Sequence, residues 1–189
     1  MYTNMRTPKV NETKVVFGPC RLSYAHLFKK FAPDGGEGKY QTNVLIPKEE
    51  VETVNAVKQA IEAAKREGII SRWGGKEPKK LELPLRDGDA KDPTDDVYAG
   101  HYFINPKSSR PVSITDKNGV PITDEEDMYS GVYALVSVTF KAYDKNGNRG
   151  ITCFLNAVRK VKDGERLGGA GSAEADFAGF EIEEEDDDL

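Results

Sequence analysis

Two alternating segments joined by a tight turn restrict most strongly how this chain can fold. Between Val132 and Tyr143, apolar side chains alternate with polar or aromatic ones, which is the period of a β-strand with one buried face. The Asn146–Gly147 pair then marks a hairpin turn, and a second strand is expected over 151–160. The predicted buried face of the first strand consists of Ala134, Val136, Val138, Phe140 and Ala142.

The other candidate strands are short and are bounded by Gly, Pro, Asn or Asp. They lie at 15–17, 21–24, 40–46, 101–104, 111–115 and 120–123. An Asn-Gly turn within 116–119 separates the last two, which predicts a second hairpin. Many short strands with glycine-marked hairpins favour a small antiparallel β-barrel over a parallel βαβ sheet.

One helix and one long loop interrupt these strands. After Pro47, a favoured first helical residue, apolar side chains recur with helical spacing over 51–64 until Gly68 provides a stop. This pattern predicts an amphipathic helix of about five turns outside the sheet. The segment 73–97 is polar and rich in Gly and Pro, and long loops of this kind are usually functional or mobile. The predicted fold class is therefore mainly β with one long helix.

The net charge of −5 conceals two regions of opposite charge. Nine of the 32 acidic residues lie in 174–189, where no Lys or Arg occurs. The other 23 acidic residues stand against all 27 Lys and Arg, so the preceding chain carries about +4. From Gly168 the chain is rich in Gly and Ala, which cannot bury enough surface to become ordered. We predict a domain over 1–167 and a flexible linker with an acidic tail over 168–189.

Basic and aromatic side chains are interleaved in several places, as a protein that binds single-stranded DNA (ssDNA) requires. The candidate DNA-binding residues are Lys29, Lys30, Phe31, Arg72, Trp73, Lys76, Lys79, Lys80, Tyr98, His101, Tyr102, Lys107, Arg110, Tyr133, Lys141 and Tyr143. For each aromatic residue the competing interpretation is core packing. Phe17, Phe103 and Phe140 are assigned to the core, whereas Trp73, followed by two glycines, is expected to stack on a base.

The sequence offers little support for an enzyme or a metal site. A metal-dependent nuclease is the alternative, with Mg²⁺ held by the loop carboxylates Asp87, Asp89, Asp92, Asp95 and Asp96. No positioned Lys or His motif accompanies these carboxylates, which lie in a polar loop. Neither His26 and His101 nor Cys20 and Cys153 have metal-ligand spacing, and both cysteines are expected to be buried. Walker, Gly-x-Gly-x-x-Gly and Gly-x-Ser-x-Gly motifs are missing. We predict no catalysis, no cofactor and no metal.

A membrane location is not expected either. No apolar run approaches the roughly 20 residues of a membrane span, and the first residues lack the apolar segment of a secretory signal. The predicted location is the cytoplasm.

Five segments of the chain, taken in order, resemble one protein family. They are YQTNVLIPKEEVETVNAVKQAIEAA, WGGKEPKKLELPLRDGD, YAGHYFIN, MYSGVYALVSVTFKAYDKNGNRGITCFLNAVRKVKDGERLGG and EEEDDDL. This combination resembles the bacteriophage and prophage single-stranded-DNA-binding proteins. The resemblance implies an OB-like antiparallel β-barrel with a disordered acidic C-terminal tail, and ssDNA binding in phage replication, recombination or repair in the host cytoplasm. The family has no catalytic signature, so the candidate residues above rest on residue type and placement.

The acidic tail has two predicted roles. A run of carboxylates resembles a nucleic-acid backbone electrostatically, so the tail is expected to occupy a basic groove when DNA is absent. Replication or recombination proteins are candidate partners for its apolar and acidic side chains, which are Phe177, Phe180, Ile182, Glu184, Asp186, Asp187, Asp188 and Leu189. A purely solubilising tail and a phage structural or adaptor protein are the alternatives. The sequence leaves the oligomeric state open.

Overall fold

Strands are the main secondary structure of the computed structural model, which describes residues 4–91 and 95–167. The elements in chain order are β1 (Lys9–Asn11), β2 (Lys14–Phe31), β3 (Lys39–Pro47), α1 (Val51–Ser71), β4 (Arg86–Asp87), α2 (Gly88–Lys91), β5 (His101–Ile104), β6 (Lys107–Ser108), β7 (Ser113–Thr115), β8 (Tyr133–Lys145) and β9 (Asn148–Lys162). A short 3-10 turn at Glu125–Asp127 precedes β8. The predicted linker and tail over 168–189 lie outside the described residues.

The strand β2 closes the sheet into a barrel. Its first part, from Lys14 to Arg21, pairs antiparallel with β8, and its second part, from Arg21 to Phe31, pairs antiparallel with β3. The predicted hairpin is confirmed, because β8 pairs with β9 along its whole length. The ring is completed where β9 meets β6 and β6 meets β3. Five strands in the order β2, β8, β9, β6 and β3 therefore return to β2.

Gly18 allows β2 to bend between its two partners. The register of β2 on β8 shifts between Phe17 and Cys20, and Gly18 has a φ of +123°. A Cβ at this position would lie 2.6 Å from the carbonyl oxygen of Ala134 in β8. Any other residue would therefore combine an unfavourable φ with a collision against the neighbouring backbone.

The barrel interior and one face of α1 share a single core. The predicted inward row of β8 is buried in this core, and so are Phe17 and Phe140. Phe103 is also buried, but in a separate small cluster with Leu45 and Tyr98. The buried face of α1 includes Val54, Val57, Ala60, Ile61 and Ala64, and the helix packs mainly against β8. Among the described residues, no helix combines the length and apolar character needed to cross a membrane.

Cys20 and Cys153 are both buried and free, as predicted. Burial raises the pKa of each thiol, so both remain protonated near neutral pH. The two residues serve as small apolar core residues.

The predicted end of α1 at Gly68 is wrong, because the helix continues to Ser71. A Cβ at Gly68 would lie 2.5 Å from the Cβ of Ala142 in β8 and 2.9 Å from the ring of Trp73. The glycine therefore permits close packing rather than ending the helix.

The predicted hairpin around 116–119 forms only in part. The turn is present, with the Gly119 N–H donating to the Asp116 carbonyl at 3.0 Å. However, β7 pairs in parallel with β9, and the returning segment makes one bridge, between Thr115 and Pro121.

Trp73 packs in the core, which contradicts its predicted position as an exposed platform for a base. Its side chain is 4% exposed, and its Nε1–H donates to the carbonyl oxygen of Tyr143 at 3.1 Å. The missing side chain at Gly68 makes room for the ring. The indole thus links the segment after α1 to β8 through this hydrogen bond. Because the ring is buried, no base can stack on it in this conformation.

We predict that Trp73→Ala lowers the free energy of unfolding by about 3–5 kcal/mol, because it leaves a large cavity. The control is Ile70→Ala, in the last turn of α1, where the side chain is 83% exposed. That variant should change stability by less than about 0.5 kcal/mol. Urea unfolding of the two variants measures both effects, and equal stabilities would contradict the core position of Trp73.

Candidate nucleic-acid interface

A groove with a volume of about 680 Å³ crosses the outer surface of β3, β5 and β6; we call it the main groove. Val44 and Ile104 point into the barrel and are buried, so the alternate residues Asn43 and Asn105 face outward. The main groove is lined by aromatic rings, amides and cations, namely Tyr24, His26, Phe31, Gln41, Asn43, Arg86, Asp87, Ala90, Lys91, Phe103, Asn105 and Lys107.

The aromatic side of the main groove comes from the second part of β2. The register of β2 on β3 shifts between Ser23 and His26 and again between His26 and Phe31. Tyr24 and Phe31 remain 60% and 41% exposed, and the rings of His26 and Phe31 stack with centroids 4.4 Å apart. Burial lowers the pKa of His26, so its imidazole is neutral at neutral pH. The result is an exposed aromatic platform at the groove wall.

Three cations lie around this platform. Arg86 comes from β4, Lys91 from α2 and Lys107 from β6. The Lys91 Nζ lies 5.1 Å from the ring centroid of Tyr24. Positive charge beside exposed rings is the combination that binds phosphates and unpaired bases together.

The described carboxylates of the acidic cluster bond to Lys48 and to the backbone at the groove wall. Lys48 donates to Asp87 at 2.7 Å and to Asp89 at 2.6 Å, and these bonds hold the pKa of both carboxyl groups below the ordinary value. Asp95 accepts from a backbone N–H two residues later, and Asp92 lies outside the described residues. Within 4–91 and 95–167, no three His, Cys, Asp or Glu side chains are placed to hold a metal.

A second concave surface, of about 650 Å³, lies on the outer face of the β8–β9 hairpin; we call it the hairpin surface. It is lined by Lys39, Arg72, Glu82, Lys141, Ala142, Tyr143, Asp144, Lys145, Asn148, Thr152 and Phe154. It adjoins the main groove at two strand pairings, Phe31 with Lys39 and Lys107 with Phe154. Paired Cα atoms are about 5 Å apart, so the two surfaces are neighbours, and together we call them the path.

The structure places five of the candidate residues on this path. They are Phe31 and Lys107 in the main groove, and Arg72, Lys141 and Tyr143 on the hairpin surface. Their contact with DNA stays a prediction.

Tyr98 and His101 do not provide the exposed rings that the sequence predicted, because both are buried. The ring of Tyr98 lies edge-on to Phe103 with centroids 5.1 Å apart, and its hydroxyl accepts from the Asn43 amide at 2.7 Å. His101 places Nδ1 2.8 Å from the carbonyl oxygen of Ala99. Tyr98 therefore supports the main groove from beneath through Asn43, and neither buried ring offers an exposed face to a base.

The other candidate residues lie on neither surface. They are Lys29, Lys30, Lys76, Lys79, Lys80, Tyr102, Arg110 and Tyr133. Tyr102 is half-buried beneath Lys48 and Lys58, and Tyr133 packs beside Arg21. The candidate partner-binding residues over 177–189 lie outside the described residues.

The sequence reasoning missed several residues of the path. They are Tyr24, His26, Lys39, Gln41, Asn43, Arg86, Lys91, Asn105, Lys145 and Phe154. A signal was present for Phe154, which stands on the polar face of an alternating strand, and for Gln41 and Asn43, which alternate with core residues of β3. For Arg86 and Lys91 the local sequence carried no such signal, because only tertiary packing brings them to the groove.

Fold and surface together define a small β-barrel whose outer face presents a basic and aromatic path. Residues 13–189 match the family described as "Enterobacter phage Enc34, ssDNA-binding protein", and the chain belongs to this family. It is also 32% identical over 187 residues to protein p50 of Acyrthosiphon pisum secondary endosymbiont phage 1, covering 92% of this chain and 97% of that protein.

Two solved structures share the fold. The single-stranded DNA-binding protein from bacteriophage Enc34, in complex with ssDNA, has a TM-score of 0.74 at 22% identity, covering 88% of this chain and all of that one. The gp2.5 protein of bacteriophage T7, a single-stranded DNA binding protein, has a TM-score of 0.53 at 18% identity, covering 91% of this chain and 97% of that one. These matches confirm the OB-like barrel. The family and both matched structures are binding proteins, which agrees with the prediction that the chain is not an enzyme.

Proposed function

We propose that this protein binds ssDNA without chemistry and with little sequence preference, along the main groove and the hairpin surface. The observation that carries the proposal is the meeting of exposed rings and cations in the main groove. Tyr24 and Phe31 offer faces for unpaired bases, while Arg86 and Lys107 supply charge for phosphates. Within the described chain, neither of these cations forms an ion pair with a carboxylate. Family membership supports the same function.

We place this activity in phage DNA replication, recombination or repair, in the cytoplasm of the host cell. The phage origin of the family and of the p50 relative supports this setting. Residues 1–167 form the DNA-binding domain in this proposal, and 168–189 form a linker with an acidic tail.

We propose further that the acidic tail competes with DNA. The described chain ends at Leu167, which lines a cavity of about 400 Å³ together with Tyr24 and His26. Both of these residues also line the main groove, so the described chain ends beside the aromatic platform. The 22 residues of 168–189 reach about 70 Å when extended, which exceeds the width of a domain of this size. Apolar residues such as Phe177 and Leu189 would recruit replication or recombination proteins.

The first prediction is tight binding to a labelled oligothymidylate and weak binding to duplex DNA of equal length, because paired bases cannot reach the aromatic platform. Fluorescence anisotropy with Mg²⁺ present, followed by gel analysis of the DNA, measures binding and integrity together. Cleavage of the DNA would support the nuclease alternative. If the protein binds neither the single strand nor the duplex, the result would support a structural or adaptor protein.

For the path itself, we expect Lys107→Ala and Lys141→Ala each to weaken ssDNA binding. Each should reduce the slope of log K against log salt by about 0.7, which is the contribution of one phosphate contact to a single strand. The control is Lys117→Ala, in the turn after β7 and on neither surface, which should leave the slope unchanged. An equal loss in all three variants would show that net charge, rather than the path, determines affinity.

Removal of residues 173–189 should tighten ssDNA binding, because it deletes nine carboxylates and no base. The gain should be largest at low salt and shrink as salt rises, since the screening length is near 8 Å at about 0.15 M. Titrations of both forms at several salt concentrations measure the effect. Coincident curves would eliminate the competing tail and leave recruitment of partners open.

A further inference from the structure

Gln41 is largely buried at the floor of the main groove, and its amide faces the groove. Its side chain is 9% exposed and lines the main groove. Within residues 4–91 and 95–167 the amide makes no hydrogen bond, and it is not sealed from the groove. Because the amide is open to the groove, its donor and acceptor are available to a group that enters the groove. Such a group points to a ligand, or to water that a ligand displaces, as the source of its hydrogen bonds.

The neighbours of Gln41 are the two kinds of group that bind a nucleotide. On one side β2 places His26 opposite Gln41, and the ring of His26 stacks on Phe31. On the other side β6 places Lys107 opposite Gln41. The amide therefore lies between a surface for a base ring and a cation for a phosphate.

The next amides along the groove are held in fixed positions. The Asn105 Nδ2–H donates to Asn43 Oδ1 at 2.8 Å, and the Asn43 Nδ2–H donates to the Tyr98 hydroxyl at 2.7 Å. Tyr98 is thus a positioning residue that anchors this pair from the buried side. The side-chain amides of Gln41, Asn43 and Asn105 all lie on the groove floor. Of these three, Gln41 is the one whose N–H and C=O groups both lack a hydrogen bond within the described residues.

We propose that Gln41 hydrogen-bonds the Watson–Crick edge of one base in the bound strand, so that the main groove contacts the edge as well as the ring. This inference rests on the proposed function. An amide offers both a donor and an acceptor, and the Watson–Crick edge of every base presents at least one of each. By turning its amide, Gln41 accommodates any base. The contact therefore adds affinity without selecting a sequence.

The test compares oligothymidylate with an oligonucleotide of the same length in which difluorotoluene replaces every thymine. This ring has the shape of thymine but no comparable hydrogen-bonding edge. The unaltered protein should bind the thymine strand about threefold to tenfold more tightly, as expected for one or two hydrogen bonds. For Gln41→Leu the two strands should bind equally. Its melting temperature should be unchanged or higher, because an apolar group of similar size replaces an unpartnered amide.

The control is Phe31→Ala, which should weaken binding of both strands and leave their ratio unchanged. If Leu is not accommodated in β3, Gln41→Met provides the same comparison with an unbranched side chain. Equal binding of both strands by the unaltered protein, or an unchanged ratio in the Gln41 variants, would overturn the edge contact and leave ssDNA binding intact. Failure of the unaltered protein to bind either strand would overturn the proposed function itself.

Discussion

The division of β2 between β8 and β3 is the interaction on which the rest of the structure depends. One strand hydrogen-bonds to two partners in succession, and it bends at Gly18, where only glycine avoids a collision with β8. Closing the ring in this way leaves β3 with one face in the core and the other on the surface. The main groove lies on that outer face because β2, β3 and β6 are held side by side.

The irregular pairing of β2 and β3 then determines what the groove presents. Where the register shifts, Tyr24 and Phe31 remain exposed instead of alternating evenly between core and surface. Lys48 contributes from the other wall by pairing with Asp87 and Asp89. One lysine offsets only part of the negative charge of two carboxylates, so the positive charge around the platform comes from Arg86, Lys91 and Lys107.

Residue type alone did not separate the exposed rings from the buried ones. The residues around Trp73 in the sequence are polar or glycine, which favours an exposed position. In the structure, however, Trp73 packs against Gly68 and hydrogen-bonds to β8. Tyr98 stands in a basic and aromatic segment, yet its hydroxyl supports Asn43 from the buried side. Phe31, which was a candidate on the same grounds, is 41% exposed. The difference lies in the space that distant residues leave for each ring, which no local pattern contains.

The sequence by itself determined the β8–β9 hairpin, the buried faces of β8 and α1, and the separation of an acidic segment from a basic body. Periodicity and charge are local properties, so they can be recognised without the fold. Only the tertiary structure decided that Gln41 lies between His26 and Lys107, and that the main groove adjoins the hairpin surface. Those neighbours come from strands far apart in the chain, and their meeting depends on how β2 bends and which strands it pairs with.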